Sequence, residues 1–284
     1  MSKSARIPVS DLHAILETVG ECRDRGDDPA VWREHFLGAV AKLVGADVVM
    51  GGELAGLRAG RPADIAAIHF GWESESLRDR WEQAYRDFAA GRLPDPTIGK
   101  CFSQVAGARG EASIAQLLGE RAWCRSIFYQ FYSAVGMDAN LYSFHPVPDT
   151  ADEFSGLILT RTAGRRAFNA RETQIVREFH AAIVPLVGRA LARFNEPCPS
   201  KLAPRARQVL KCLLEGDGDK QVAVRLALSP YTVNQYTKVI YRHFGVSSRA
   251  ELLARWIARG WGATAQWASR CNSQDSGPGS AINV

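Results

Sequence analysis

The 284-residue sequence predicts an α+β domain followed by a small all-α domain. Three observations carry this reading. Strand-like apolar runs alternate with helical patterns as far as residue 194, the motif Asn195-Glu-Pro-Cys-Pro-Ser200 interrupts the chain, and four short helical patterns follow with no strand between them. With 46% hydrophobic residues the chain has enough apolar side chains for two cores. The predicted layout is an α+β domain over 1–194, a linker over 195–201, an all-α domain over 202–260 and a flexible tail over 261–284, the tail being rich in Ser, Gly, Asn and Gln.

In the first part, helical spacing covers Ser10 to Gly20 and Pro29 to Val44. Strand-like runs follow at Asp47 to Leu54 and Ile65 to Phe70. Helical patterns return at Glu75 to Ala90 and Glu120 to Val135. Two further strands are predicted at Ala139 to Val147 and Phe154 to Thr162, separated by the turn-rich PDTADE, and one long helix from Asn169 to Phe194 closes the domain. Four or five strands flanked by helices make an α+β sandwich.

Charge divides unevenly along the chain. Pro199 to Gly260 carries 11 Lys and Arg against four acidic residues, a balance of +7, whereas residues 1 to 198 carry 23 basic and 25 acidic residues. A basic module beside a near-neutral body suits a polyanion partner for the module alone; a solvated surface with no partner is the alternative. The six cysteines are scattered without C-x-x-C pairs or metal-ligand spacing, which predicts reduced thiols and no cofactor. No run of about 18 apolar residues occurs and the start has no signal-peptide pattern, so a cytoplasmic protein without a membrane partner is expected.

Local signals bound the four helices of the basic module. Pro204 suits a first helical position, ahead of Val209, Leu210, Leu213 and Leu214, and Gly216 ends that helix. Asp219 is the expected cap of a second helix with Val222, Ala223 and Leu226 inward. Ser229 and Pro230 open the third, SPYTVNQYTKVIYRHFGV, in which Val233, Tyr236, Ile240 and Phe244 recur on one face. Ser248-x-x-Glu251 reads as a capping box for the fourth, burying Leu252, Leu253, Trp256 and Ile257. Tyr231, Gln235, Lys238 and Arg242 then share the outer face of the third helix with Asn234 beside them. Such a face fits a DNA major groove, where amides pair with adenine and cations with guanine edges. An ordinary solvated polar face is the alternative.

The run from Leu202 to Arg255 resembles the DNA-binding domain of the LuxR (GerE-like) family of bacterial regulators. The residues that carry the resemblance include Pro204-Arg205, Glu215-Gly216, Lys220, Leu228-Ser229, Thr232-Val233, Gly245-Val246 and Ser248-Arg249-Ala250-Glu251-Leu252. The resemblance implies a tetrahelical helix-turn-helix with base contacts at Asn234, Gln235 and Lys238 and phosphate contacts at Thr232 and Lys220, with Arg242 a further phosphate partner. It departs from the pattern at Ala203, where a capping Thr or Ser is usual, at Ala206 and at Tyr236. The expected partners are double-stranded DNA and a second copy of the chain, because two domains on a near-palindrome multiply specificity; RNA polymerase is a further candidate.

The element order of residues 1–194 is similar to GAF and PAS sensory domains. Trp81-x-x-x-Tyr85 followed by Asp95-Pro96 also resembles part of the ligand-pocket signature of autoinducer-binding LuxR proteins, which implies a small-molecule site lined by Trp81, Tyr85 and Asp95. Core packing of the aromatic pair is the alternative. The acidic pair, strand-end Asp and later Lys of a phosphorylated receiver cannot be placed. An enzyme or metal site would draw on Cys101, Cys124, His69 and His145, whose spacing favours neither, and a regulator controlled by protein contacts without a small ligand stays open.

Overall fold

The computed structural model describes residues 6–59, 63–92, 96–108 and 111–261. Of the expected tail, residues 262–284 lie outside this range. The chain forms two units, one of residues up to Cys22 together with Ala30–Gly188, the other of Arg23–Pro29 together with the chain from Arg189.

The first unit has an antiparallel sheet of five strands with helices on both faces, the predicted α+β class. Its elements are α1 Val9–Asp24, whose last two residues belong to the second unit, α2 Pro29–Val44, β1 Val48–Ala55, β2 Ala63–Phe70, α3 Glu75–Ala89, α4 Pro96–Ala108, β3 Glu111–Ala112, α5 Ile114–Leu118, α6 Glu120–Trp123, α7 Ile127–Ala134, β4 Met137–Pro146, β5 Glu153–Thr162 and α8 Ala170–Ile183. The strand order is β2-β1-β5-β4-β3.

Side-chain alternation along each strand divides the core in two. The front face takes Val48, Met50 and Leu54 of β1 and Tyr142 and Phe144 of β4, packed with Trp81, Phe88, Phe102, Trp123, Phe128 and Tyr132 from α3, α4, α6 and α7. The back face takes Val49, Leu141, Leu157 and Leu159, all buried, under α2 and α8. Phe36 and Phe179 meet there edge to face at 5.0 Å.

Polar groups are also buried at the back. His180 lies between Ser143 and Ser155, with Nδ1 2.7 Å and Nε2 2.9 Å from their Oγ atoms. Burial, and then the neighbouring His145, hold this imidazole well below its ordinary value, so it is neutral. Arg161, 2% exposed, donates to the carbonyls of Gly45, Val44, Arg166 and Ala167 and pairs with Glu172 at 3.1 Å. Glu172 in turn completes a capping box with Asn169 at the start of α8.

Two predicted helices are shorter than their apolar spacing suggested. The helix expected over 169–194 ends at Ile183 and passes through a 3₁₀ turn, Val184–Leu186. Pro185 has no N–H to continue the ladder, and Gly188 takes a φ of 80°. The pattern over 120–135 is broken where Ser126 caps a new helix, its Oγ accepting from the Tyr129 N–H at 3.0 Å. The helices α4 and α5 and the two-residue β3 had no prediction.

The second unit holds α9 Pro204–Leu214, α10 Asp219–Leu226, α11 Pro230–Phe244 and α12 Arg249–Ala258 around Val209, Leu210, Leu213, Val222, Val233, Ile240, Phe244, Leu252 and Trp256. Residues ahead of α9 pack into the same unit. The Ala192 N–H donates to the Gly26 carbonyl at 2.6 Å, Trp261 Nε1 to the Ala190 carbonyl at 3.1 Å and His243 Nε2 to the Cys198 carbonyl at 2.9 Å.

Caps differ in detail from expectation. Ala203 precedes α9 without a side-chain bond. The residue before α10 is Gly218, whose N–H donates to Gln221 Oε1 at 2.7 Å, so Asp219 is the first helical residue and not the cap. Ser248 caps α12 as expected, but Glu251 reaches back to the N–H and Oγ of Ser247, each at 2.9 Å. Ile257, expected in the core, is 75% exposed, because Leu252 and Trp256, one turn apart, take the inward positions of this short helix.

Candidate nucleic-acid interface and apolar cavity

The turn between α10 and α11 sets the recognition surface. Ala227 ends α10 with a φ of 52°, a left-handed conformation that β-carbon sterics disfavour, and the Leu228 N–H closes the turn onto the Ala223 carbonyl at 2.9 Å. Ser229 Oγ then accepts from the Thr232 N–H at 3.0 Å and opens α11. Val233, Thr237, Ile240 and Phe244 are buried, and Tyr236 packs half-buried against the same core. Asn234, Gln235, Lys238 and Arg242 are exposed, and Tyr231 is 74% exposed at the helix start.

Much of the module's excess positive charge is committed internally. Arg225 pairs with Glu215 at 2.5 Å and Asp217 at 2.8 Å, and these acidic neighbours hold its guanidinium more firmly protonated than usual. Arg249 donates to the carbonyls of Asp217 and Leu213, Arg255 to that of Phe244, and Arg259 pairs with Glu196 at 2.6 Å. The side chains of Lys220, Lys238 and Arg242, by contrast, have no hydrogen bond or ion pair among the described residues, and the same is true of the Asn234 and Gln235 side chains. Thr232 is half-buried, its hydroxyl 2.8 Å from that of Ser229.

The first unit contains a cavity of about 210 Å³ between the front face of the sheet and α3. Its floor is one rung of the ladder, in which Ala67, Gly52, Gly156 and Phe144 lie side by side on four strands. Three of these four carry at most a methyl group, which opens the space. Gly52 is required by close approach of backbone, whereas at Gly156 the neighbour is the end of a leucine side chain. A Cβ on Gly52 would lie 2.1 Å from the Ala66 carbonyl oxygen, and one on Gly156 2.2 Å from Leu54 Cδ1. Trp81 and Tyr85, one turn apart on α3, form the wall, with Met50, Leu54 and Ile158 around the floor.

Trp81 is 4% exposed and meets Tyr132 edge to face at 4.7 Å, so it serves core and cavity together. Tyr132 and Tyr142 share a hydrogen bond beneath it, and burial pushes both phenols above their ordinary value. Asp95, the third residue of the expected set, lies outside the described residues.

At one end of the cavity stand His69, Glu82 and Arg86. Trp72 Nε1 donates to His69 Nδ1 at 3.1 Å. Burial pulls the His69 imidazole below its ordinary value, against the opposing charge of Glu82 and with a smaller push from Arg78. Glu82 pairs with Arg78 at 3.6 Å and Arg86 at 3.5 Å. The sequence reading did not single out these groups for this cavity. The usable signal was glycine inside strand patterns, at Gly51-Gly52 and Gly156, which marks close backbone approach or open space.

The four residues of the enzyme reading are not brought together. Cys101 is buried in the front core on α4 and Cys124 is exposed after α6. His69 is on the edge strand β2 at the front, whereas His145 points to the back beside Glu111, 3.2 Å away, with three strand steps between them. Among the described residues no group of three or more His, Cys, Asp or Glu is arranged to hold a metal ion.

Comparison with known proteins matches residues 200–256 to the family model of bacterial regulatory proteins, luxR family. A probable HTH-type transcriptional regulator, GfsR of Streptomyces halstedii, is 35% identical over 79 residues, covering 28% of this chain and 32% of that protein. The chain thus spans about a third of that relative's length. Among solved structures, Escherichia coli SdiA is 14% identical with 85% of this chain and 95% of that one covered at a TM-score of 0.37. SdiA in complex with octanoyl-rac-glycerol is 16% identical, with coverages of 88% and 94% and a TM-score of 0.38.

Proposed function

We propose that the chain is a transcriptional regulator that binds double-stranded DNA as a homodimer on a near-palindromic site, under control of its first domain; the match of residues 200–256 to the luxR family model supports this reading. One observation carries the DNA-binding half. The outer face of α11 presents two amides and two cations whose side chains have no partner among the described residues, while most neighbouring cations are tied to carbonyls and carboxylates of their own domain. Asn234, Gln235 and Lys238 read base edges. Lys220, Thr232 and Arg242 hold phosphates and set the register.

Dimerisation is supported by the few base contacts that one such helix can make. An apolar stripe on α1 adds to it: Val9, Leu12 and Leu16, at helical spacing, are 68%, 45% and 59% exposed. The first domain acts as a small-molecule sensor of the GAF or PAS kind. The cavity under Trp81 and Tyr85 supports this part, and Asp95 is the proposed third ligand contact. No helix among the described residues is long and apolar enough to cross a membrane; the proposed DNA partner supports a cytoplasmic location, with RNA polymerase as a further candidate partner.

Binding measured against salt and sequence tests the DNA half. Lys238→Ala is expected to weaken specific binding by about 1–3 kcal/mol and to relax one base position, whereas Lys220→Ala weakens all sequences alike and lowers the salt slope by about 1. Unchanged affinity of Lys238→Ala across sequences and salts would remove it from the reading face.

A further inference from the structure

The sensor reading leaves open what chemistry the first domain recognises, and the cavity itself constrains it. An engineered cavity of about 150 Å³ in another protein holds one benzene. The 210 Å³ here is therefore room within its walls for one ring and on the order of three further heavy atoms, and the exposed Ala67 marks a side open to solvent. Shape narrows the choice. Leu54 Cδ1 and the Phe144 ring lie over Gly156 and the Ala66 carbonyl over Gly52, and the Trp81 and Tyr85 rings close the opposite side, which makes a slot suited to a flat molecule.

Polarity narrows it further. Trp72 can only donate, so His69 Nδ1 is the acceptor in that bond and the neutral imidazole carries its proton on Nε2. No partner for Nε2 occurs among the described residues, although the side chain is only 12% exposed and lines the cavity. Nε2 is not among the fully buried polar atoms that lack a partner, so solvent reaches it, and a ligand that supplies an acceptor takes the place of water there. Glu82 is paired with Arg86 and with Arg78, so the charges at the mouth already have counter-ions, which favours a neutral ligand.

We propose that this cavity binds a small, neutral, flat ring compound bearing a carbonyl-type oxygen, which accepts a hydrogen bond from His69 Nε2–H. The proposal rests on the reading of the first domain as a small-molecule sensor, and the experiment separates the two. Acetophenone and ethylbenzene share a skeleton and differ in the carbonyl. Their affinities for the full chain are measured by calorimetry for wild type, His69→Phe, His69→Gln and Ala67→Leu, with N-hexanoyl homoserine lactone as a third probe.

Acetophenone is expected to bind wild type about tenfold more tightly than ethylbenzene. The ratio falls to about one in His69→Phe with ethylbenzene unaffected, is partly kept by the amide donor of His69→Gln, and both ligands are lost in Ala67→Leu. In wild type alone, the His69 Nε2–H resonance should shift with acetophenone and stay in place with ethylbenzene, a readout that needs no variant to fold. An unchanged ratio in His69→Phe, or a resonance indifferent to the carbonyl, overturns the donor role. Binding of the lactone alone, sensitive to Ala67→Leu, overturns this proposal and leaves the sensor reading standing. Failure of all three probes overturns both.

Discussion

The two faces of the sheet in the first domain are built from the same strands and do opposite things with buried polarity. At the back, Ser143, His180 and Ser155 bond to one another, and Arg161 serves four carbonyls and a carboxylate. At the front, aromatic rings surround a cavity, and the His69 imidazole is bonded at one nitrogen only among the described residues. The difference lies in what each rung carries. Ser143 pairs in register with Leu157, whereas one residue away Gly156 pairs with Gly52, so a closed back and an open front alternate along the same strand. A sheet can thus be anchored on one face while it offers space on the other.

Substitutions can break this contrast. The largest effect is expected at the back, where Arg161→Met leaves Glu172 without one of its two arginines and four carbonyls without a donor. Urea unfolding of the full chain should show a loss of about 3–5 kcal/mol in the transition of the first domain. A loss under 1 kcal/mol would mean that the back face is no more committed than the front.

Acid tests the same face more gently. The unfolded imidazole of His180 takes up a proton near pH 6.5, whereas the folded one resists it to a much lower pH. Below pH 6.5 the unfolded state binds more protons, so stability falls as pH falls, with a slope from this group approaching about 1.4 kcal/mol per pH unit. His69, also held low, adds in the same direction. His180→Gln should flatten the dependence of melting temperature on pH between 7.5 and 5.5, about one pH unit to either side of the ordinary histidine value; an unchanged slope would show that His180 is not its source.

The smallest effect belongs to the front. Ala67→Leu adds three carbons to a space that already exists, so unfolding without ligand should change by less than about 1 kcal/mol. A destabilisation as large as that of Arg161→Met would show that the cavity is closed in solution, and the contrast between the faces would collapse.

The basic domain was far more legible in the sequence than the cavity, for a physical reason. The outer and inner faces of α11 follow from steps of three and four within 15 residues, and Ser229 and Gly245 mark its ends in the sequence itself. The cavity is assembled from residues 50 to 158, brought together by strand pairing that no local pattern specifies. Trp81 and Tyr85 were readable because they sit one helical turn apart. His69 was noticed only as a strand histidine, since its relation to Trp72 and the glycine rung exists only after folding.

Errors were also local in origin. Apolar spacing runs on through Leu186, Val187 and Leu191, but Pro185 ends the hydrogen-bond ladder that spacing alone cannot see. The charge excess of the second domain is a different case: it points to a polyanion, and among its cations Arg225, Arg249, Arg255 and Arg259 also stabilise the domain from within. Charge counts do not distinguish structural cations from those left for a partner.

The bonds from Gly26 to Ala192, from Trp261 to Ala190 and from Arg259 to Glu196 bear on how the basic domain can be prepared alone. A fragment cut at Leu202 would discard the partners of all three. It would expose the Trp261 ring, which packs against Trp256 at 5.3 Å, and leave its indole N–H without the Ala190 carbonyl. Poor solubility or weak DNA binding by such a fragment would then report the cut and not the recognition helix. A fragment that begins at Arg189 keeps the last two of these bonds, and only the loop Arg23–Pro29, far off in sequence, is missing from it.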